Sequence, residues 1–307
     1  MAASNSSQLF ANLCVNALSI QKNHSLFYDV MTLTTCIMNA VLSPVAVAGN
    51  ALVLAAIWKN QSLRTPSNIL LAGLAFTDFC TGLIAQPFYS LDRYAEYKRN
   101  KKEYCFAYRI ANMAGPYFAS ITLATITTMA VERWLHVSCR SLITVRRTII
   151  LFSLFLLSPI PYTAIRWLIL QNPSVLSWSQ WLTGFLGFAC FLIMLVAYLK
   201  VFRIIRRHQR QVLDHASNRL NLVKYKRSVF TILYILACFV VCFSPHFVCA
   251  IVVGMLAVYS EISAAFVHLT ATMFYWSSTL NPILYCWRMK TIRDGVKGIL
   301  KQCYRLG

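Results

Sequence analysis

The chain has 307 residues, of which 58% are hydrophobic and only 12% charged, and its formal net charge is +20. A soluble domain carries about 25% charged residues, so this composition points away from a soluble protein and toward repeated burial in lipid. The charge alone would suit nucleic acid, but the Lys and Arg gather in the gaps between apolar stretches, which argues against that partner.

Residues 1–28 form a polar tail without the apolar core of a cleavable signal, so the first span is expected to act as its own insertion signal. Asn5-Ser6-Ser7 and Asn23-His24-Ser25 are N-glycosylation acceptor patterns in this tail. Asn5 is the better placed, because Asn23 lies close to the membrane. Seven charge-poor stretches follow, at 30–57, 67–91, 110–131, 148–165, 172–199, 228–254 and 262–287. Each approaches the roughly 20 residues that a helix needs to cross a bilayer. Helices are the expected form, because an open sheet edge cannot sit in lipid.

The expected fold class is an all-α membrane protein, a seven-transmembrane helix bundle occupying residues 29–287. Residues 288–307 form a cytoplasmic segment in which Ile292, Val296, Ile299 and Leu300 recur at helical spacing among Arg and Lys. That pattern predicts a short amphipathic helix lying on the membrane. Cys303, among Lys297, Lys301 and Arg305, is a palmitoylation candidate.

Seven spans put the chain ends on opposite sides. Most of the 29 Lys and Arg lie in the odd-numbered gaps and after the last span, with the longest cluster from Lys200 to Arg227. Basic flanks favour the cytoplasm, so the N-terminus is expected outside. Attraction to anionic lipid is a second consequence. Most cysteines lie within spans, where they act as small buried side chains; Cys14 and Cys105 lie outside them.

Asp78 is the one acid in the middle of a span. Such a group is costly in lipid and marks a functional site unless hydrogen bonds satisfy it in neutral form. Pro245 and Pro282 each remove a backbone hydrogen bond and bend a helix, as a hinge or as a static kink. The first span carries Gly49-Asn50, the second Leu74-Ala75-Phe76-Thr77-Asp78, and the third ends in Glu132-Arg133-Trp134. Tyr198 lies near the end of the fifth, Phe239 and Cys242-Phe243-Ser244-Pro245 in the sixth, and Asn281-Pro282-Ile283-Leu284-Tyr285 in the seventh. Taken together and in this order, these motifs resemble the rhodopsin-like (class A) G-protein-coupled receptors over about residues 40–303. The short, cysteine-free second outer loop and the fifth span without Pro are similar to the melanocortin receptors, with the adenosine and cannabinoid receptors as the wider neighbourhood.

The resemblance implies roles for these residues. Glu132 would pair with Arg133 at rest. In the active form Arg133 would enter the cavity that receives a heterotrimeric G protein, with Tyr198, Asn281, Pro282 and Tyr285 helping to hold that form. Asn50, Asp78, Thr122, Ser278 and Asn281 would make a polar pocket for an allosteric sodium ion; no other cofactor is expected. Phe239, Phe243 and Pro245 would form the toggle and hinge. Tyr225, flanked by Lys224 and Lys226, stands where many relatives carry an acid that restrains the Arg. Phe88, Tyr89, Gly115, Phe247 and Tyr275 would line the ligand pocket.

The departures from the family pattern bear on the ligand. The second outer loop, 166–181, has no Cys, and Tyr108 occupies the usual cysteine position of the third span. Cys105 could pair only with Cys14 on the same side. Phe243 replaces the usual Trp, and Cys190 the usual Pro of the fifth span. Gly115 stands where amine receptors carry an Asp, and Tyr275 where opsins carry a Lys. An aromatic pocket with few polar groups favours an apolar small molecule or a peptide over a biogenic amine. Asp92, Glu96, Glu103 and Glu261 are expected on the pocket rim, offset by Arg93 and neighbouring lysines.

The expected function is a receptor that passes an extracellular signal to heterotrimeric G proteins at the plasma membrane, with lipid as its solvent, no nucleic acid as partner and no enzymatic activity. No nucleotide loop, metal-ligand spacing or nucleophile triad is present, and the six His are scattered. A membrane transporter or channel is the alternative. It would call for polar residues along several spans, or for internal repeats.

Overall fold

The computed structural model describes residues 25–138, 144–169, 173–211, 234, 237–253 and 260–306, and among these there is helix but no strand. The first span is Leu26–Lys59. The second runs from Pro66 to Tyr97, with a π-helical turn at Thr81–Ala85 between Pro66–Cys80 and Gln86–Tyr97. The third is Lys101–Ser138. The fourth comprises Val145–Leu157 and Pro159–Ile169, and the fifth is Pro173–Gln211. The described part of the sixth is Ala237–Val253. The seventh is Glu261–Arg288, and Lys290–Leu306 is the helix that follows it.

Helix starts follow local chemistry. The hydroxyls of Ser25, Thr65, Thr144 and Ser260 accept backbone N–H groups of the first turn, and Ser260 forms a reciprocal capping box with Ser263. Several helices overrun the apolar stretches that predict them: the third begins at Lys101 rather than 110, and the fifth continues to Gln211 rather than 199. Backbone hydrogen bonding does not stop at the membrane boundary, and charged residues with good helix propensity extend each rod.

The distribution of polarity is that of a membrane bundle. Phe185, Phe188, Ile149, Leu154 and Ile262 are exposed, whereas Asn39, Asn50, Asp78, Gln86 and Thr122 are buried. Hydroxyls within spans bond to carbonyls one turn back, as Thr81 does to Thr77 and Thr125 to Ile121, so those donors are satisfied within their own helix. Gly49 allows the first and seventh spans to close on each other at the Pro282 kink. A β-carbon there would stand 2.8 Å from the proline ring. The core runs from Val53, Leu74 and Ile126 through Met194, Phe239 and Phe243 to Tyr285. Ile292, Val296 and Ile299 of the last helix are buried against it, and Gly295 meets Ala56 and Asn60 of the first span. The amphipathic helix expected after Tyr285 is thus present.

Candidate functional site

Asp78 is completely buried at mid-bundle, and both of its oxygens are occupied. The Ser278 hydroxyl donates to Oδ1 at 2.8 Å and the Asn281 amide to Oδ2 at 2.7 Å. Asn50 joins through the same turn of the seventh span, donating to the Ser278 carbonyl at 2.9 Å. Its Oδ1 is buried without a hydrogen-bond partner. Thr122 differs from expectation: it donates to the Thr77 hydroxyl at 3.2 Å, not to Asp78. A short threonine side chain on the third span reaches the neighbouring hydroxyl of the second, and Asp78 is turned toward the seventh. A carboxylate, an orphaned amide oxygen and a hydroxyl close to one another are hard oxygen donors of the kind that suit a small cation.

A row of aromatic rings joins the sixth, seventh and second spans. Phe239 and Phe243 lie 3.7 Å apart between centroids, and Phe243 and Phe274 are 4.3 Å apart. Phe274 meets Tyr275 at 5.3 Å, and Tyr275 meets Tyr89 at 5.2 Å. Pro245 lies within the sixth helix, just past Phe243. Of the expected pocket residues, Phe88, Tyr89 and Tyr275 share one buried cluster with Ala111 and Phe118. Phe247 stands apart from it, beside Phe243 at 6.5 Å and against Gly187. It belongs to the contact between the fifth and sixth spans, because a helical residue four places past Phe243 returns to the same face.

Gly115 faces Tyr275. A β-carbon on Gly115 would lie 2.7 Å from the Tyr275 hydroxyl. The seventh span therefore fills the space that an anchoring side chain from the third would need.

At the opposite end, Arg133 pairs with Glu132, Nε to Oε2 at 3.6 Å. Ser67 at the start of the second span donates to the other oxygen of Glu132 at 3.0 Å. The Arg133 side chain is 19% exposed and Nε makes no hydrogen bond. Tyr198 is buried within electrostatic range of Arg133, and the Tyr285 ring is fully buried beside Asn281 and Pro282 in chain; both hydroxyls are unpartnered. Lys200 holds its ammonium 4.0 Å above the ring of Trp134, tying the third span to the fifth. Tyr225 lies outside the described residues.

Of the acids expected on the rim, Glu103 is exposed, but Asp92 and Glu96 are placed differently. Asp92, Arg93 and Glu96 are buried inside the bundle at 2–3% exposure. Arg93 donates from Nη2 and Nε to Asp92 Oδ2, at 2.6 and 3.2 Å. It pairs through Nη1 with Glu96, and the same Nη1 approaches His268 Nε2 at 2.6 Å. The Tyr28 hydroxyl donates to Glu96 at 2.8 Å, so the cluster joins the first, second and seventh spans. Glu261 instead accepts from the Ser25 backbone at 2.9 Å. Charges at the spacing Asp92-Arg93-x-x-Glu96 suggest an exposed helix end; only the π-turn and the neighbouring spans put them inside. Asp92 and Arg93 lie at i, i+4 and i, i+3 from Glu96, so one turn of helix brings both within reach of it.

Cys105 is disulfide-bonded. The other cysteines whose side chains are described are free thiols. Cys14, Asn5 and Asn23 lie outside the described residues, as does the side chain of Cys303, although its helix is described.

Comparison with known proteins accounts for this arrangement. The family described as 7 transmembrane receptor (rhodopsin family) matches residues 49–285. A curated relative, the "High-affinity lysophosphatidic acid receptor" of Xenopus laevis, is 24% identical over 91% of this chain and 85% of its own length. The human "Probable G-protein coupled receptor 45" is 23% identical over 90% of this chain and 84% of its own. The human "Histamine H2 receptor" is 22% identical over 89% and 80%. The crystal structure of squid rhodopsin has the same fold, with a TM-score of 0.73 at 17% identity, covering 90% of this chain and 87% of that one. With the family match spanning the bundle from Gly49 to Tyr285, the chain belongs to the rhodopsin family of seven-transmembrane receptors, which is a class of receptors and not of enzymes.

Proposed function

We propose that this receptor sits in the plasma membrane with its N-terminus outside and passes an extracellular ligand signal to a heterotrimeric G protein. The ligand would shift a pre-existing equilibrium toward a form open at the Arg133 end. The observation that carries this reading is the Glu132–Arg133 pair at 3.6 Å, with the unpartnered hydroxyls of Tyr198 and Tyr285 buried nearby. Breaking one weak ion pair releases Arg133, and two phenols without partners are available to hold a rearranged end. The aromatic row from Tyr89 to Phe239 gives the ligand end a contiguous packed route to that switch.

An apolar or amphipathic small molecule, or a peptide with aromatic groups, fits the ligand end better than a simple biogenic amine. Gly115 offers no carboxylate, and Tyr275 fills the space beside it. The lack of Cys in 166–181 and Cys190 in place of a proline support a likeness to the melanocortin receptors, with the adenosine and cannabinoid receptors as the wider neighbourhood. The matched relatives bear lysophosphatidic acid and histamine receptor names instead.

Sodium is a cofactor that the residues around Asp78 suit. Asp78, Asn50 through its orphaned Oδ1, and Ser278 would hold it, with Asn281 turning on its amide; the ion would supply a positive charge to balance the buried carboxylate. Cys14 is the proposed partner of Cys105, since Cys139 and Cys303 follow the opposite ends of their helices in the chain. Glycosylation at Asn5 or Asn23 and palmitoylation at Cys303 complete the proposal. A ligand panel read by G-protein dissociation tests it. At least one peptide or amphipathic ligand should drive dissociation through the wild-type receptor and none through Arg133→Ala; activation that survives the substitution would overturn the coupling reading.

A further inference from the structure

The buried charges at the Asp92 end do not balance. Two carboxylates, Asp92 and Glu96, face the single buried guanidinium of Arg93. His268 does not supply a second cation. Arg93 can only donate, so the Nε2 that it approaches at 2.6 Å must accept, and the imidazole is neutral. Nearby Lys98 is exposed and turned toward the rings of Tyr94 and Tyr97. A carboxylate withdrawn from water without a full complement of partners is costly, and a second cation would offset that cost.

Two carboxylate oxygens of the cluster are buried without a hydrogen bond, and one of them, Glu96 Oε2, is ion-paired with Arg93 Nη1. Asp92 Oδ2 takes both contacts from Arg93, whereas Asp92 Oδ1 is buried with no hydrogen-bond partner. Arg93 has Asp92, Glu96 and His268 already in place, so the cluster is not built to receive an anion. Its surroundings suit a cation. The Asp92 carboxylate lies within electrostatic range of Tyr89, Tyr104 and Tyr275. Phenol rings attract cations through their faces, as the Arg93 guanidinium shows at 5.6 Å over Tyr89. One turn deeper on the same helix lie Phe88 and Tyr89, in the buried aromatic cluster with Phe118 and Tyr275. A charged seat thus adjoins an apolar wall.

We propose that Asp92 Oδ1 seats a basic group of the receptor's ligand, an ammonium or guanidinium carried on a larger aromatic or apolar body such as a basic peptide. The Glu96 charge strengthens the seat, and the aromatic cluster takes the body. This rests on the ligand-binding reading above and names the chemistry of its second half. It moves the anchoring acid from the third span, where Gly115 stands, to the end of the second. A small amine makes one contact to a carboxylate whose other oxygen is already taken by Arg93, so it binds weakly; a ligand that also fills the aromatic cluster gains both.

The test uses the full-length purified receptor and two probes, acetyl-Phe-Lys-amide and the same dipeptide acetylated on its lysine ε-amine. The two differ in one charge and one acetyl group. Thermal stabilisation of the receptor is titrated with each. In the wild type the charged probe should act at a concentration lower by about tenfold, the scale of one charge-assisted contact. Asp92→Asn and, separately, Glu96→Gln should bring the two probes to within about twofold. Glu103→Gln, at an exposed acid of the next helix, should leave the preference unchanged. Equal potency of the probes in the wild type overturns the proposal, and needs no variant to fold. A preference that survives Asp92→Asn, or that disappears in Glu103→Gln, overturns the location. No G protein is present in this assay, so its failure leaves the coupling reading standing, and loss of coupling leaves this one untouched.

Discussion

The hydroxyl of Tyr275 stands 2.7 Å from where a β-carbon on Gly115 would be, so the seventh span occupies the space in front of the third. The phenol is held between Tyr89 and Phe274, at ring distances of 5.2 and 5.3 Å, and cannot swing aside without disturbing both. Gly115→Ala should therefore cost about 1–3 kcal/mol, the usual range for overpacking. Adding Tyr275→Phe removes the clashing atom and should restore most of the loss. Thermal melts of the two single variants and the double variant measure this coupling. Strict additivity would show that the two residues do not meet as described.

The same relationship bears on ligand choice. Serotonin, dopamine and histamine should fail to activate at sub-micromolar concentration, because a protonated amine entering this region finds no carboxylate at Gly115. Gly115→Asp alone should not create an amine site, since the new side chain meets Tyr275 first. A G-protein dissociation assay over a concentration series decides the matter. Potent activation by any of the three would contradict the pocket described here.

Arg133→Ala should abolish G-protein activation while surface expression stays near wild type. The Arg133 side chain is partly exposed at the end of the bundle and makes one ion pair at 3.6 Å, so few packing contacts are lost. Surface staining alongside the dissociation assay separates the two effects. Appreciable basal activity is also expected in the wild type, because Tyr225 and its flanking lysines provide no acid to restrain Arg133. Undetectable basal signalling at high expression would point to another restraint, with the Lys200–Trp134 contact the first to remove.

Sodium should lower agonist affinity when it replaces a large organic cation at constant ionic strength, and Asp78→Asn should remove the dependence. The substitution keeps the shape of a side chain that accepts from Ser278 and Asn281 but removes its charge. Indifference to sodium in the wild type would favour a neutral Asp78 satisfied by those two donors alone.

Topology gives the last prediction. An epitope tag before Ser4 should stain on intact cells, and one after Gly307 only after permeabilisation, as the gathering of Lys and Arg in the odd-numbered gaps requires. The reverse pattern would place the Arg133 end outside the cell and defeat the coupling proposal.

The sequence by itself was enough for the bundle and the family. Seven apolar stretches of spanning length leave helices as the only economical structure in lipid, and motifs around Asp78, Arg133, Pro245 and Pro282 mark the second, third, sixth and seventh spans. The pairing of Asp78 with Ser278 and Asn281, 200 and 203 residues away in the chain, followed from that resemblance and is present in the structure. What the tertiary structure decided were the contacts that depend on how helices are rotated against one another. Thr122 turned to Thr77, Phe247 joined the sixth span's own row, Tyr275 closed on Gly115, and the expected rim charges Asp92, Arg93 and Glu96 went inside. A helical period tells which residues share a face, but not which neighbour that face will meet. A single π-turn at Thr81–Ala85 is enough to re-aim every side chain beyond it, and no local pattern of hydrophobicity records that rotation.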